Sequence, residues 1–83
     1  MEIQVLYFAS LKDRVGRGEE RVSVPDGTDL QSLAQLLVER HAPLAGALGH
    51  VRFAVNREFA APDTRLRGGD EVALIPPMSG GAA

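Results

Sequence analysis

Apolar residues fall along this chain in short runs broken by turn-forming residues, and their spacing predicts one main helix among several strands. Ile3-Gln4-Val5-Leu6-Tyr7-Phe8 is rich in β-branched and aromatic residues and reads as a buried strand. Ala9 to Arg14 can form a short helical turn before Gly16-Arg17-Gly18 breaks the chain. Arg21-Val22-Ser23-Val24 alternates and is expected to pair with the first strand as a hairpin, with Pro25-Asp26-Gly27 as the following turn. Leu30, Leu33, Leu37 and His41 then recur on one helical face, with Ala34 beside them. Thr28 is a good N-cap, Gln31 three residues later completes a capping box, and Pro43 ends the helix. Leu44 to Gly49 reads as an irregular crossover. Val51, Phe53 and Val55 alternate with Arg52, Ala54 and Asn56, which predicts a third strand. Asn56-Arg57-Glu58 turns the chain into a short strand near Phe59. Pro62-Asp63 and Gly68-Gly69-Asp70 are turns flanking Leu66, and residues 71–75 form the last strand, which two prolines terminate.

The predicted order is β-β-α-β-β-β, an α+β arrangement of the β-grasp, ubiquitin-like kind. A mixed sheet of about five strands carries one main helix across it. The first and last strands should lie side by side, parallel, in the centre. Their nearly continuous apolar runs suggest burial on both faces. The division expected is a domain over residues 1–77 and a flexible tail over residues 78–83 that carries Gly80-Gly81.

The composition narrows the partners. At 83 residues, 45% apolar and 24% charged, the chain has the make-up of a single small globular domain. Its net charge of −2 comes with nine basic residues scattered along it, so no stripe exists to hold a nucleic acid. Without cysteine there is no disulfide, no thiolate metal site and no cysteine nucleophile, which fits a cytoplasmic protein. No signal peptide and no membrane-spanning run is read. His41 and His50 lack neighbours at metal-ligand spacing, so helix-end or surface roles are expected and no metal. Asp26 and Asp29 flank the helix start, where carboxylates favour the dipole. Ser79 lacks the context of a catalytic nucleophile. Phe8, Phe53 and Phe59 are expected in the core or on a sheet face, with one of them surfacing in a partner-binding patch.

The chemistry resides in the ending Pro76-Pro77-Met78-Ser79-Gly80-Gly81-Ala82-Ala83. Two prolines stiffen its start. The glycines can lie extended in a channel that any side chain would block. Met78 to Gly81 span roughly 13–14 Å when extended, enough to enter a deep pocket while the domain stays outside. Composition alone favours an idle, frayed terminus.

Leu74-Ile75-Pro76-Pro77-Met78-Ser79-Gly80-Gly81 resembles the ending of the small subunits of molybdopterin synthases, the sulfur carriers of molybdenum cofactor synthesis. Val5-Leu6-Tyr7-Phe8-Ala9, Phe53-Ala54-Val55-Asn56-Arg57-Glu58 and Leu66-Arg67-Gly68-Gly69-Asp70-Glu71-Val72-Ala73 are similar to other segments of that family, so the likeness spans nearly the whole chain. The resemblance implies that an ATP-dependent activating enzyme adenylates Gly81 and that a sulfur donor then leaves a thiocarboxylate there. It implies that Pro76, Pro77, Met78, Ser79 and Gly80 form the partner-binding tail, with Met78 as an apolar anchor. The tail would enter a large subunit and pass sulfur to cyclic pyranopterin monophosphate, building the dithiolene. The chain would then be a sulfur-donating subunit with no catalytic groups or bound cofactor of its own, the ATP being consumed by the activating enzyme.

The family pattern stops at the second glycine, and here Ala82 and Ala83 follow. They would displace the reactive carboxylate by up to roughly 7 Å. Either a protease trims them, or they are not native to the chain, or this copy does not carry sulfur; trimming is the expectation. Two alternatives share the fold: a sulfur carrier of the thiamine type, and a ubiquitin-like interaction module with no sulfur role.

Overall fold

The computed structural model describes residues 1–77; the tail from Met78 to Ala83 lies outside the described residues. The strands are β1 (Glu2–Tyr7), β2 (Glu19–Ser23), β3 (Arg52–Val55), β4 (Glu58–Ala60) and β5 (Glu71–Ile75). They form one sheet in the order β2-β1-β5-β3-β4. β1 and β5 are parallel neighbours at its centre, and the other pairings are antiparallel. Helix α1 (Ala9–Val15) follows β1, and α2 (Leu30–Arg40) is the main helix. The fold is the expected mixed five-stranded β-grasp.

The first helix is longer than the expected single turn. Gly16 closes it in the left-handed region at φ 88°, where its N–H bonds the Lys12 carbonyl at 2.8 Å. Glycine takes that backbone without a Cβ penalty.

The start of α2 corrects the sequence reading. Asp29, not Thr28, is the N-cap, and its carboxylate accepts the Ser32 N–H at 2.8 Å. The Thr28 hydroxyl instead donates to the Pro25 carbonyl at 2.6 Å and closes the preceding turn, so no capping box forms with Gln31. Tertiary bonds complete the end: Leu30 N–H donates to Thr64 O and Gln31 N–H to Pro62 O, while Leu33 N–H to Asp29 O is the first bond of the helix itself. The three orphan donors Leu30, Gln31 and Ser32 of the first turn are thereby satisfied. The Ser32 backbone N–H holds the Asp29 carboxyl below its usual range. Asp29→Ala is expected to lower Tm by a few degrees, while Asp29→Asn, which can still cap, should lower it less. Thermal unfolding followed by circular dichroism checks this, and a Thr28→Ala loss larger than that of Asp29→Ala would reverse the assignment.

The core forms where α2 crosses one face of the sheet. Leu30, Leu33 and Leu37 meet Ile3, Val5, Tyr7, Val22, Phe53, Val72 and Leu74, with Leu11, Leu44 and Leu66 filling the edges. Each such side chain contributes about 1.5–3 kcal/mol by leaving water, so this layer supplies the driving force of a small domain.

The two central strands are not covered on both sides, contrary to the expectation from their apolar runs. Burial alternates along β1 and β5: Ile3, Val5, Tyr7, Val72 and Leu74 are buried, whereas Leu6, Ala73 and Ile75 are only half-buried. Nothing among the described residues plays the part of α2 on the outer face.

Candidate docking face at the root of the tail

Strand register builds the outer face row by row. Leu6 pairs with Ala73, Ala73 with Ala54, and Ala54 with Phe59, so these four residues share one side and span β1, β5, β3 and β4. The next row holds Ile75 opposite Arg52. Phe8 continues the β1 alternation just past the strand end. The following residue, Ala9, takes a left-handed backbone at φ 50° and turns the chain into α1. Phe8 is 45% exposed and Phe59 62% exposed, while Phe53 points into the core. Two of the three phenylalanines therefore surface, where the sequence reading expected one. Apolar rings set on a sheet face without cover are the feature that marks a binding surface.

The tail begins at the edge of this face. Pro76 is half-buried and Pro77 exposed, directly after β5. β5 is the central strand, pinned by β1 on one side and β3 on the other. Asn56 secures its start: the Asn56 side chain accepts the Glu71 N–H at 3.0 Å and donates to Asp70 at 3.0 Å. Asn56 and Arg57 both have positive φ, 51° and 72°, the pattern of a tight two-residue hairpin between β3 and β4. A rigid strand thus aims whatever follows Pro77. Met78, Ser79, Gly80 and Gly81 lie outside the described residues, so the placement of the predicted reactive end is not part of this geometry.

Away from this face lies a buried polar cluster that sequence reasoning missed. Glu20 occupies an inward slot of β2 and is 8% exposed. It accepts the Tyr7 hydroxyl at 2.9 Å, meets His41 Nε2 at 2.5 Å and lies 3.8 Å from Arg40. The Tyr7 and His41 rings pack edge to face with centroids 6.1 Å apart. Burial raises the Glu20 carboxyl, but hydrogen bonds from His41 and Tyr7 outweigh it and hold the group below its ordinary value. Burial, then the hydrogen bond to Glu20, pushes the Tyr7 phenol far up. His41 is the C-cap of α2, so the expected helix-end role holds, but it does have a carboxylate partner, one distant in sequence. The signal was present in the pattern: Glu20 stands in register with inward Val22 and Val24, where an apolar residue is the rule.

No group of three or more potential metal-ligating residues occurs among the described residues. An open groove of about 640 Å³ beside α2 is lined mainly by Ala34, Val38, Leu48, Val51, Phe53 and Pro62, with no nucleophile among them. The described residues also contain no helix long and apolar enough to cross a membrane. The chemistry this geometry can support is presentation: an uncovered apolar face next to the central strand that leads into the tail.

The ThiS family matches residues 5–81, nearly the whole length. The chain belongs to the ThiS family. Among its relatives, the molybdopterin synthase sulfur carrier subunit of Chlamydomonas reinhardtii is 37% identical over 98% of this chain and all of that one. Among solved structures, SAMP1 from Haloferax volcanii superposes with a TM-score of 0.88 at 29% identity, covering 98% of this chain and 100% of the other. A chain in the complex of subunits 1 and 2 of molybdopterin-converting factor from Helicobacter pylori has a TM-score of 0.69 at 24% identity, covering 98% and 100%, a likeness of fold. This ThiS-family chain thus has full-length relatives whose size it shares.

Proposed function

We propose that this chain is the sulfur carrier subunit of a molybdopterin synthase, working in the cytoplasm with a large subunit and an ATP-dependent activating enzyme. The observation that carries the reading is the ending Pro76-Pro77-Met78-Ser79-Gly80-Gly81, launched from the central strand beside an uncovered apolar face. Relatives over the full length carry that name, and the word subunit in it calls for a partner.

Once hydrolysis of the Gly81–Ala82 amide has removed Ala82 and Ala83, the freed carboxylate of Gly81 attacks the α-phosphorus of ATP and pyrophosphate leaves, giving an acyl adenylate. A sulfur donor displaces AMP, and the product is a thiocarboxylate. None of these groups comes from the domain, which docks and aims the tail. The trimmed tail, residues 78–81, then delivers sulfur to a pterin precursor held by the large subunit. The chain holds no cofactor of its own in this scheme.

Complementation decides between the carriers. The gene product should restore a strain lacking its molybdopterin synthase small subunit and leave a thiamine sulfur-carrier mutant unrescued. The opposite pattern would assign the chain to the thiamine type. Rescue by a form lacking residues 80–83 would make it an interaction module instead.

The docking face has its own test. Phe8→Asp and Met78→Asp should each weaken binding to the large subunit about tenfold or more, since a charge buried at an apolar contact goes unpaired. Phe8 is exposed, so Tm should change little. Calorimetric titration against the large subunit measures the first and thermal unfolding the second; unchanged affinity in both variants would remove this face from the interface.

A further inference from the structure

We propose that Arg52 and Phe59 form a carboxylate-binding element on the outer face, which receives an aspartate or glutamate of the docking partner and fixes its register at the root of the tail. The inference rests on reading the outer face as the docking surface. Arg52 stands opposite Ile75, the last residue of β5, after which the chain leaves as Pro76. Its guanidinium carbon lies 4.0 Å from the centroid of the Phe59 ring. A cation–π contact of this kind does not consume the guanidinium N–H donors, whose fork geometry matches a carboxylate.

Charge partners among the described residues do not satisfy it. Arg21 lies near Glu2, Arg40 near Glu20 and Arg57 near Glu71, whereas Arg52 meets no carboxylate within ion-pair distance among the described residues. Its neighbours in the register are Ile75 on β5 and the apolar row Ala73, Ala54 and Phe59. A partner that covers those residues also covers the guanidinium. A covered arginine without a counter-charge is strongly unfavourable, so the partner must bring one. Phe59, 62% exposed and outside the core, holds the guanidinium in place before the partner arrives. Lysine would substitute only in part, because its ammonium keeps the charge but is a point charge without the planar fork.

The test is titration of the full chain against the large subunit of the same organism at low and high salt. Arg52→Gln should weaken binding about tenfold or more and flatten the salt dependence. Arg52→Lys should recover only part of the loss. Phe59→Leu should weaken binding less, and in combination with Arg52→Gln should add little, because the ring acts through the arginine. Arg52→Glu should be rescued by reversing one acidic residue of the large subunit. Tm should stay within a few degrees throughout, since both side chains are exposed. Wild-type affinity and salt slope in Arg52→Gln overturn the proposal. If Phe8→Asp abolishes docking while Arg52→Gln is neutral, the docking face stands and this element alone falls. If the unaltered chain fails to bind, the docking reading falls and this proposal with it. If Arg52→Gln alters only self-association, the carboxylate belongs to a second copy, and the proposal is equally overturned.

Discussion

A form of this chain ending at Gly81 is expected to gain sulfur at its terminus when given the activating enzyme, ATP and a sulfur donor, whereas a form carrying Ala82 and Ala83 gains none at Gly81. The reason is covalent: while Ala82 is attached, the Gly81 carbonyl is an amide and offers no carboxylate to adenylate. The extended form would present the Ala83 carboxylate instead, displaced by up to roughly 7 Å and flanked by two methyl groups. Intact mass after the reaction reads the outcome as the exchange of one oxygen for sulfur on the shorter chain alone. Turnover with the large subunit should follow the same division, from full activity to background. Gly80→Val in the shorter form separates entry from activation, because a β-branched side chain blocks a channel shaped for bare backbone. It should lose sulfur delivery while the domain's Tm holds. Equal sulfur loading and delivery by the long and short forms would overturn Gly81 as the reactive terminus, and loading of neither form would end the carrier reading. In the native host, a mature species ending at Gly81 is the matching expectation.

The order of elements was legible because periodicity and turn residues agreed. The three leucines Leu30, Leu33 and Leu37 announced α2, and all three are fully buried. Residues 71–75 were bounded by Asp70 and Pro76, and β5 has those ends. What failed were choices between neighbours that only tertiary contacts decide. Thr28 and Asp29 are both competent caps, and the loop carbonyls of Pro62 and Thr64, reaching Gln31 and Leu30, fix the helix start at Asp29. Nothing local to residues 28–31 contains that information. The apolar runs of β1 and β5 were read as burial on both faces, yet α2 covers one. That discrepancy is informative: Leu6, Ala73 and Ile75 have the composition of covered positions and no cover within the described residues. Under the proposed function a docking partner would supply the missing layer, and a pattern that misdescribes the isolated domain would then fit the assembly. The Glu20 cluster lay hidden because its members come from β1, β2 and the end of α2.

Glu20→Ala is expected to cost about 2–3 kcal/mol, because it leaves the buried Tyr7 hydroxyl and the His41 ring without their acceptor. A chain of this length has only about 4–12 kcal/mol of stability to lose, so the effect is large. The pH dependence follows from the direction of the shift. The folded-state carboxyl titrates below its ordinary value of 4.5, so just below that pH the unfolded chain binds more protons than the native one. The stabilisation is complete above about pH 4.5 and is lost as the pH falls through the lower folded-state value. The raised Tyr7 phenol acts in the opposite sense at the alkaline end: its contribution is intact below its ordinary value of 10.0 and fades only as the pH rises through the higher folded-state value. Glu20→Gln keeps an acceptor for Tyr7 and removes the ionisation, so it should destabilise less at neutral pH and flatten the acid limb. Tyr7→Phe should flatten the alkaline limb and leave the acid limb weaker but present, since His41 still holds Glu20. Denaturant unfolding across the pH range measures all three. An acid limb in Glu20→Gln as steep as in the parent would move the acid sensitivity to other carboxyls. Docking and sulfur loading of Glu20→Gln at neutral pH should match the parent, because the cluster lies on the inner side of the sheet, under the helix end and away from Phe8, Phe59 and the tail root.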